Sequence, residues 1–328
     1  MMNTRKDVNG LYLIIVLTAF TAQLLVAFLS INGVKLHIVP NLLISQMIIL
    51  LPGLLFFVVK NKEEYVYRPF KKINPVSFIP LIIFTELIMP MVAVINLLSQ
   101  YFTRNEAMAV SGSIKSVPIW ITLPIMGILG PVSEEFVFRG IIYNGLKEKS
   151  TRYITSAIIS GLFFGLMHMN LNQFCYAFFL GIIFALVNEC FESIWPSCIC
   201  HMVINIQNVV MMYRLNDESV SEITPEYFVF ILPEAIITMA LAMLLLYGIC
   251  AIEKKKDRFR LVFGGRKTKM KLRMEAYRLD EDKTLEIADE AGAGKRWLYL
   301  YGYLGIFICL FVMFGLEPFI KWLYIGRK

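Results

Sequence analysis

Nine predominantly apolar stretches, near 11–30, 40–59, 77–98, 118–144, 153–169, 172–190, 194–213, 228–250 and 297–320, occupy most of the chain. Each is about 20 residues long, the length an α-helix needs to cross a ~30 Å hydrocarbon layer. Lipid offers no water to backbone N–H and C=O groups, so such stretches fold as helices that close their hydrogen bonds internally. The expected fold is all-α: a polytopic transmembrane bundle of eight to nine helices with a polar active site inside the membrane. A composition of 57% hydrophobic and 13% aromatic residues, with mean hydropathy +0.64, exceeds what one soluble core requires.

Basic residues mark alternate connections: Lys60, Lys62, Arg68, Lys71 and Lys72; then Lys147, Lys149 and Arg152; then the segment 253–296. By the positive-inside rule these connections and the N-terminus are cytoplasmic, and the expected location is a bacterial plasma membrane. Lys321, Arg327 and Lys328 would fall outside if the last stretch spans, which sets that crossing in mild conflict with the rule. The net charge of +7 is local, because ten Lys and Arg face only Asp257 between Lys254 and Arg273, which leaves the rest of the chain net acidic. A run at 254–273 beside a helix end is suited to anionic lipid headgroups and equally to fixing topology. No nucleic-acid-binding motif accompanies it, so no nucleic acid is expected as partner. The acids that follow, from Asp280 to Glu290, and few apolar residues make this insertion a segment lying on the membrane or partly mobile. All six cysteines fall in or at the ends of apolar stretches, where a free thiol packs as a small hydrophobe.

Three polar clusters interrupt the apolar stretches: Glu134-Glu135-Phe136-Val137-Phe138-Arg139, Phe164-Gly165-Leu166-Met167-His168, and His201-Met202-Val203-Ile204-Asn205. Ionisable side chains in hydrocarbon are costly and mark functional sites by default. Glu135 and Arg139 stand at i and i+4 on one helical face and can pair, which leaves Glu134, about 100° away, free for chemistry. A carboxylate in a poorly hydrated cavity is suited to general-base work near neutral pH. His201 and Asn205 share a face and can both donate to a developing oxyanion. A histidine at a helix end, such as His168, is by itself more often interfacial than catalytic.

The order EExxxR, FxxxH, HxxxN within apolar segments resembles the CAAX-protease and bacteriocin-processing (CPBP) family of Abi- and Rce1-like intramembrane endopeptidases. Glu134, Glu135 and Arg139 match the first motif, Phe164 and His168 the second, His201 and Asn205 the third. The resemblance implies hydrolysis of a peptide or lipidated protein substrate within the membrane. Glu134 and His168 would activate water, His201 and Asn205 would hold the oxyanion, and Glu135, Arg139 and Phe164 would support the site. Glu134, His168 and His201 also make a legal zinc set, but metal-free glutamate catalysis without a cofactor is favoured: there is no HExxH, and His201 cannot be both ligand and oxyanion donor.

The expected organisation is N-terminal transmembrane helices over 1–114, a catalytic core over 115–213, an additional transmembrane helix over 214–252, the basic insertion 253–296 and a C-terminal apolar segment 297–328. Helical rise puts Glu134 roughly 20 Å from Lys147 and His168 roughly 24 Å from Arg152, while His201 is only roughly 14 Å from Glu192. Tilt or broken helices must bring them level, and Pro124, Pro131 and Gly161 are available for that. Other intramembrane polar residues, Gln46, Glu86, Asn96 and Glu234, keep open a transporter or channel, and an inactive scaffold of the same fold is the third reading.

Overall fold

In the computed structural model the described residues are 4–34, 36–61, 70–100, 102–103, 111–147, 153–214, 225–265, 268 and 296–316. Each apolar stretch, as far as it is described, falls largely in a helix: α1 Thr4–Ile31, α2 Ile38–Asn61, α3 Phe78–Gln100, α4 Ile119–Lys147, α5 Tyr153–Met167, α6 Leu171–Phe191, α7 Trp195–Arg214, α8 Pro225–Ile252 and, after α9 Lys256–Phe263, α10 Arg296–Phe311. Among the described residues no strand occurs. Six helices (α1, α2, α3, α4, α6 and α8) are long and apolar enough to cross a membrane, and α5 and α10 are shorter apolar helices. α7 is interrupted by His201, Asn205, Gln207 and Asn208. Large apolar side chains point outward, among them Leu55, Phe230, Leu244 and Phe307, each 65% or more exposed. Such a surface belongs in hydrocarbon. The chain is an integral membrane protein.

α4 covers the apolar stretch expected over 118–144, where Pro124 and Pro131 were available to break a regular helix, and its winding does change along its length. It is α-helical over Ile119–Thr122, π-helical over Leu123–Leu129, α-helical over Gly130–Glu135, π-helical over Phe136–Tyr143 and α-helical again over Asn144–Lys147. Pro124, inside the first π-segment, and Pro131, just beyond it, lack the N–H an α ladder needs and crowd the preceding turn, so the winding loosens over Leu123–Leu129; the second π-segment contains no proline. Wider turns turn carbonyls away from their usual partners, and side chains take them over. Ser160 Oγ donates to Phe138 O at 3.1 Å, and Asn144 Nδ2 donates to Arg139 O at 2.5 Å.

Glycines let α4 to α7 approach closely around this segment. A Cβ at Gly181 of α6 would sit 2.7 Å from Gly161 Cα of α5, and one at Gly127 would sit 2.9 Å from Ile206 Cγ1 of α7. Close backbone approach at small residues is the usual glue of helices in lipid, where apolar area alone gives no preference between protein and solvent. α10 packs along α1 in the same direction, Gly302 facing Asn9 and Gly305 facing Tyr12, while the Tyr12 hydroxyl reaches Cys309 Sγ at 3.6 Å.

One end of the bundle gathers charges from segments far apart in sequence. Lys147 Nζ lies 2.7 Å from Glu189 Oε2, which also accepts from Tyr143 OH at 3.1 Å, and Arg258 Nη1 lies 3.7 Å from Glu189 Oε1. Arg258 also pairs with Glu192, Lys71 Nζ stands 3.7 Å from the same carboxylate, and Lys255 donates to Phe191 O. Partial burial works against a charged Glu192, yet the Arg258 guanidinium, helped by Lys71, holds its carboxyl below the usual carboxylate range. Thus the first turns of the basic run, expected to lie on the membrane, are docked on the bundle: Lys255 and Arg258 turn inward while Lys254, Lys256 and Arg260 stay exposed. Residues 266, 267 and 269–295 of the insertion lie outside the described residues, as do Lys62, Arg68, Lys149, Arg152, Lys321, Arg327 and Lys328.

Candidate active site

The three polar clusters converge. Glu135 and Arg139 of α4 are both fully buried, with Arg139 Nη1 2.9 Å from Glu135 Oε1. The expected i, i+4 pair therefore forms, although the turn between them is π-wound. Nη1 lacks the alignment of a directed hydrogen bond, so attraction between opposite charges carries the contact. The same Oε1 meets His201 Nδ1 at 3.0 Å, and the other ring nitrogen, Nε2, stands 3.7 Å from Glu134 Oε2. His201 is thus held between two carboxylates of different standing: Glu135 is sealed and doubly engaged, whereas the Glu134 side chain keeps 11% of its surface exposed.

Phe164 ties the three helices together. The Arg139 guanidinium carbon lies 4.1 Å from its ring centroid, and the rings of His168 and His201 meet it edge-on at 5.2 and 5.9 Å. His168 follows the last turn of α5, its backbone N–H donating to Gly165 O at 3.2 Å. Asn205 lies one turn beyond His201 on α7, where its Nδ2 donates to Met126 O of the first π-segment at 3.0 Å. The second amide hydrogen of the same group is left for other acceptors. Among the described residues no three His, Cys, Asp or Glu side chains are gathered as the ligands of a metal ion would be.

Of the four polar residues that suggested a conduction path, three sit at separate helix contacts and the fourth faces outward. Gln207 of α7 donates to Glu86 of α3, Asn172 of α6 donates to Asn96 of α3 at 2.9 Å, Gln46 of α2 lies against Gly130, and Glu234 is exposed on α8.

Two further residues, Phe184 at the site and Glu189 at the charged end of the bundle, belong to none of the three motifs. Phe184 of α6 reaches both His201, with ring centroids 5.4 Å apart, and Arg139, at 5.5 Å. It lies in an apolar run where one phenylalanine looks like any other, so no sequence signal singles it out. Glu189 did carry a signal, being a lone acid in an apolar run, and it proves to be buried among Tyr143, Lys147 and Arg258.

The described helices thus form a polytopic membrane bundle that buries Glu134, Glu135, Arg139 and His201 on neighbouring helices, with His168 half-buried beside them. Residues 116–207 match the family described as type II CAAX prenyl endopeptidase Rce1-like. It is 32% identical over 107 residues to a putative membrane peptidase, YdiL, of Bacillus subtilis, covering 33% of this chain and 43% of that protein. It is 30% identical over 128 residues to the membrane-embedded CAAX protease MroQ of Staphylococcus aureus, covering 36% of this chain and 50% of that protein. The matched segment thus spans about half the length of these relatives or less. No solved structure matches the chain significantly.

Proposed function

We propose that the protein is an intramembrane endopeptidase that hydrolyses a peptide bond of a membrane-associated or lipidated substrate, and that it sits in a bacterial plasma membrane with its N-terminus in the cytoplasm. The observation that carries this reading is the unequal pair of carboxylates around His201: Glu135 held by Arg139 and His201, Glu134 less enclosed and outside the ion pair. Glu134 takes a proton from water, with His168 helping to orient it, and the hydroxide attacks the peptide carbonyl. His201 Nδ1 is engaged by Glu135, so Nε2 is the ring nitrogen left to face the reacting peptide, and it holds the oxyanion together with the Asn205 carboxamide. Glu134 then returns the proton to the leaving amine.

No metal takes part in this scheme. The test is hydrolysis of a quenched fluorescent membrane-anchored peptide by the purified protein in proteoliposomes, before and after dialysis against a strong chelator. Activity is expected to survive dialysis within about twofold, with substoichiometric zinc. Loss of activity with recovery on added zinc would instead make Glu134, His168 and His201 ligands and move the chemistry to metal-bound water.

The exposed face of α9 is the part of the basic run that we assign to anionic headgroups. Replacing Lys254, Lys256 and Arg260 by glutamine removes about 1 kcal/mol of surface attraction for each residue. The expected result is faster proteolysis of the 254–273 segment in phosphatidylglycerol-rich liposomes, little change in neutral liposomes, and the same acceleration of wild type in high salt. Equal cleavage rates for variant and wild type in the anionic liposomes would leave the run as a topology signal only.

A further inference from the structure

The Arg139 guanidinium is fully buried, and its Nε, Nη1 and Nη2 make no directed hydrogen bond to any described residue. A buried cation in that state needs stabilisation beyond one carboxylate, since desolvation is costly and a single ion pair seldom repays it. Two aromatic rings are placed to supply it. Phe164 of α5 lies 4.1 Å from the guanidinium carbon and Phe184 of α6 lies 5.5 Å from it, both within the range in which the negative face of a ring attracts a cation. Both rings also meet the His201 imidazole, at 5.9 and 5.4 Å.

The backbone of α6 is shaped for this contact. Gly181 stands one turn before Phe184 on the same face, and a Cβ there would lie 3.4 Å from Arg139 Nη2 and 2.7 Å from Gly161 Cα. Glycine at 181 thus lets α6 come close enough to α5 for Phe184 to reach the guanidinium. Phe184 itself is fully buried, so the ring excludes water from Arg139 and His201 on the side that Phe164 leaves open. Where Arg139 and Glu135 are fully buried, away from solvent, the Arg139 to Glu135 to His201 chain is strengthened and its geometry is restricted.

We propose that Phe184 is a positioning residue of the peptidase site: with Phe164 it boxes Arg139 and His201 around Glu135, and so sets where His201 Nε2 points. This rests on the proposed hydrolysis. The expectation is specific to the ring face rather than to side-chain volume, because Arg139 is held by charge and quadrupole where acceptors are lacking.

The test is a series of mono-, di- and trifluorinated phenylalanines at 184 in the full-length protein, since fluorination drains the ring face with little change of shape. A matching series at Phe178, which stacks on Phe174 at 5.8 Å on the same helix, is the control. The expected result is a stepwise fall in kcat reaching about tenfold at trifluorophenylalanine, with KM unchanged, and a stepwise fall in melting temperature. The 178 series should be flat in both. Phe184→Leu, which keeps an apolar side chain without a ring, should fall at least as far as the trifluorinated protein. A flat 184 series in kcat beside an active wild type would overturn the proposal, as would a loss seen only in KM. Should the wild type hydrolyse no peptide, the function above fails independently; the melting series then decides whether Phe184 holds Arg139, and equal melting across it would overturn that contact too.

Discussion

Glu134→Gln is expected to lower peptide hydrolysis by about 10²- to 10⁴-fold while leaving the protein inserted and folded. Glutamine keeps the shape of the side chain but cannot take a proton from water. The carboxylate it replaces is outside the ion pair with Arg139, and its nearest charged partner is His201 Nε2 at 3.7 Å. Stability therefore has little to lose. Single-turnover hydrolysis in proteoliposomes beside a melting curve separates the two effects. Wild-type turnover by the glutamine variant would remove Glu134 from the chemistry and return the site to a supporting role.

Glu135→Gln should act chiefly on the fold. Arg139 would be left fully buried without its carboxylate, and His201 Nδ1 would lose its charged partner, with an expected cost of roughly 3–5 kcal/mol for breaking a buried pair from one side. Arg139→Met should cost a similar amount by stranding Glu135. The double variant Glu135→Gln/Arg139→Met should recover part of the loss, because no lone charge then remains in the interior. Hydrolysis falls in all three: without the Glu135 carboxylate the imidazole loses its charged partner at Nδ1, and without Arg139 the carboxylate that holds it is no longer anchored. If both single variants melted with the wild type, the ion pair would be incidental to the fold.

The apolar stretches were legible because the hydrocarbon layer imposes a length and an apolar content that survive in the linear sequence. The i, i+4 spacing of Glu135 and Arg139 was legible for a similar reason, and it survives the change to π-winding because a pair of long side chains tolerates a small rotation of the turn. The winding itself was only hinted at by Pro124 and Pro131. Prolines mark where an α ladder must be interrupted, which accounts for the first π-segment; the second contains none, and its carbonyls at Phe138 and Arg139 are taken over by Ser160 on another helix and Asn144 further along. The docking of Lys255 and Arg258 was hidden, because ten cations in a run look alike until Phe191 and Glu192 are brought beside two of them.

By itself the sequence determined that the chain folds as a helical membrane bundle, and it singled out the polar residues that hydrocarbon could not tolerate without a reason. Local spacing and hydropathy carry that information, because helix periodicity and burial in lipid act on each segment separately. Only the tertiary structure decided that His201 stands between Glu134 and Glu135, that Asn205 turns to Met126, and that Phe184 and Gly181 of an unmarked helix complete the surroundings of Arg139. These are contacts between helices, whose relative depth and rotation depend on the packing of every side chain at the crossing, and no periodicity within one segment records them.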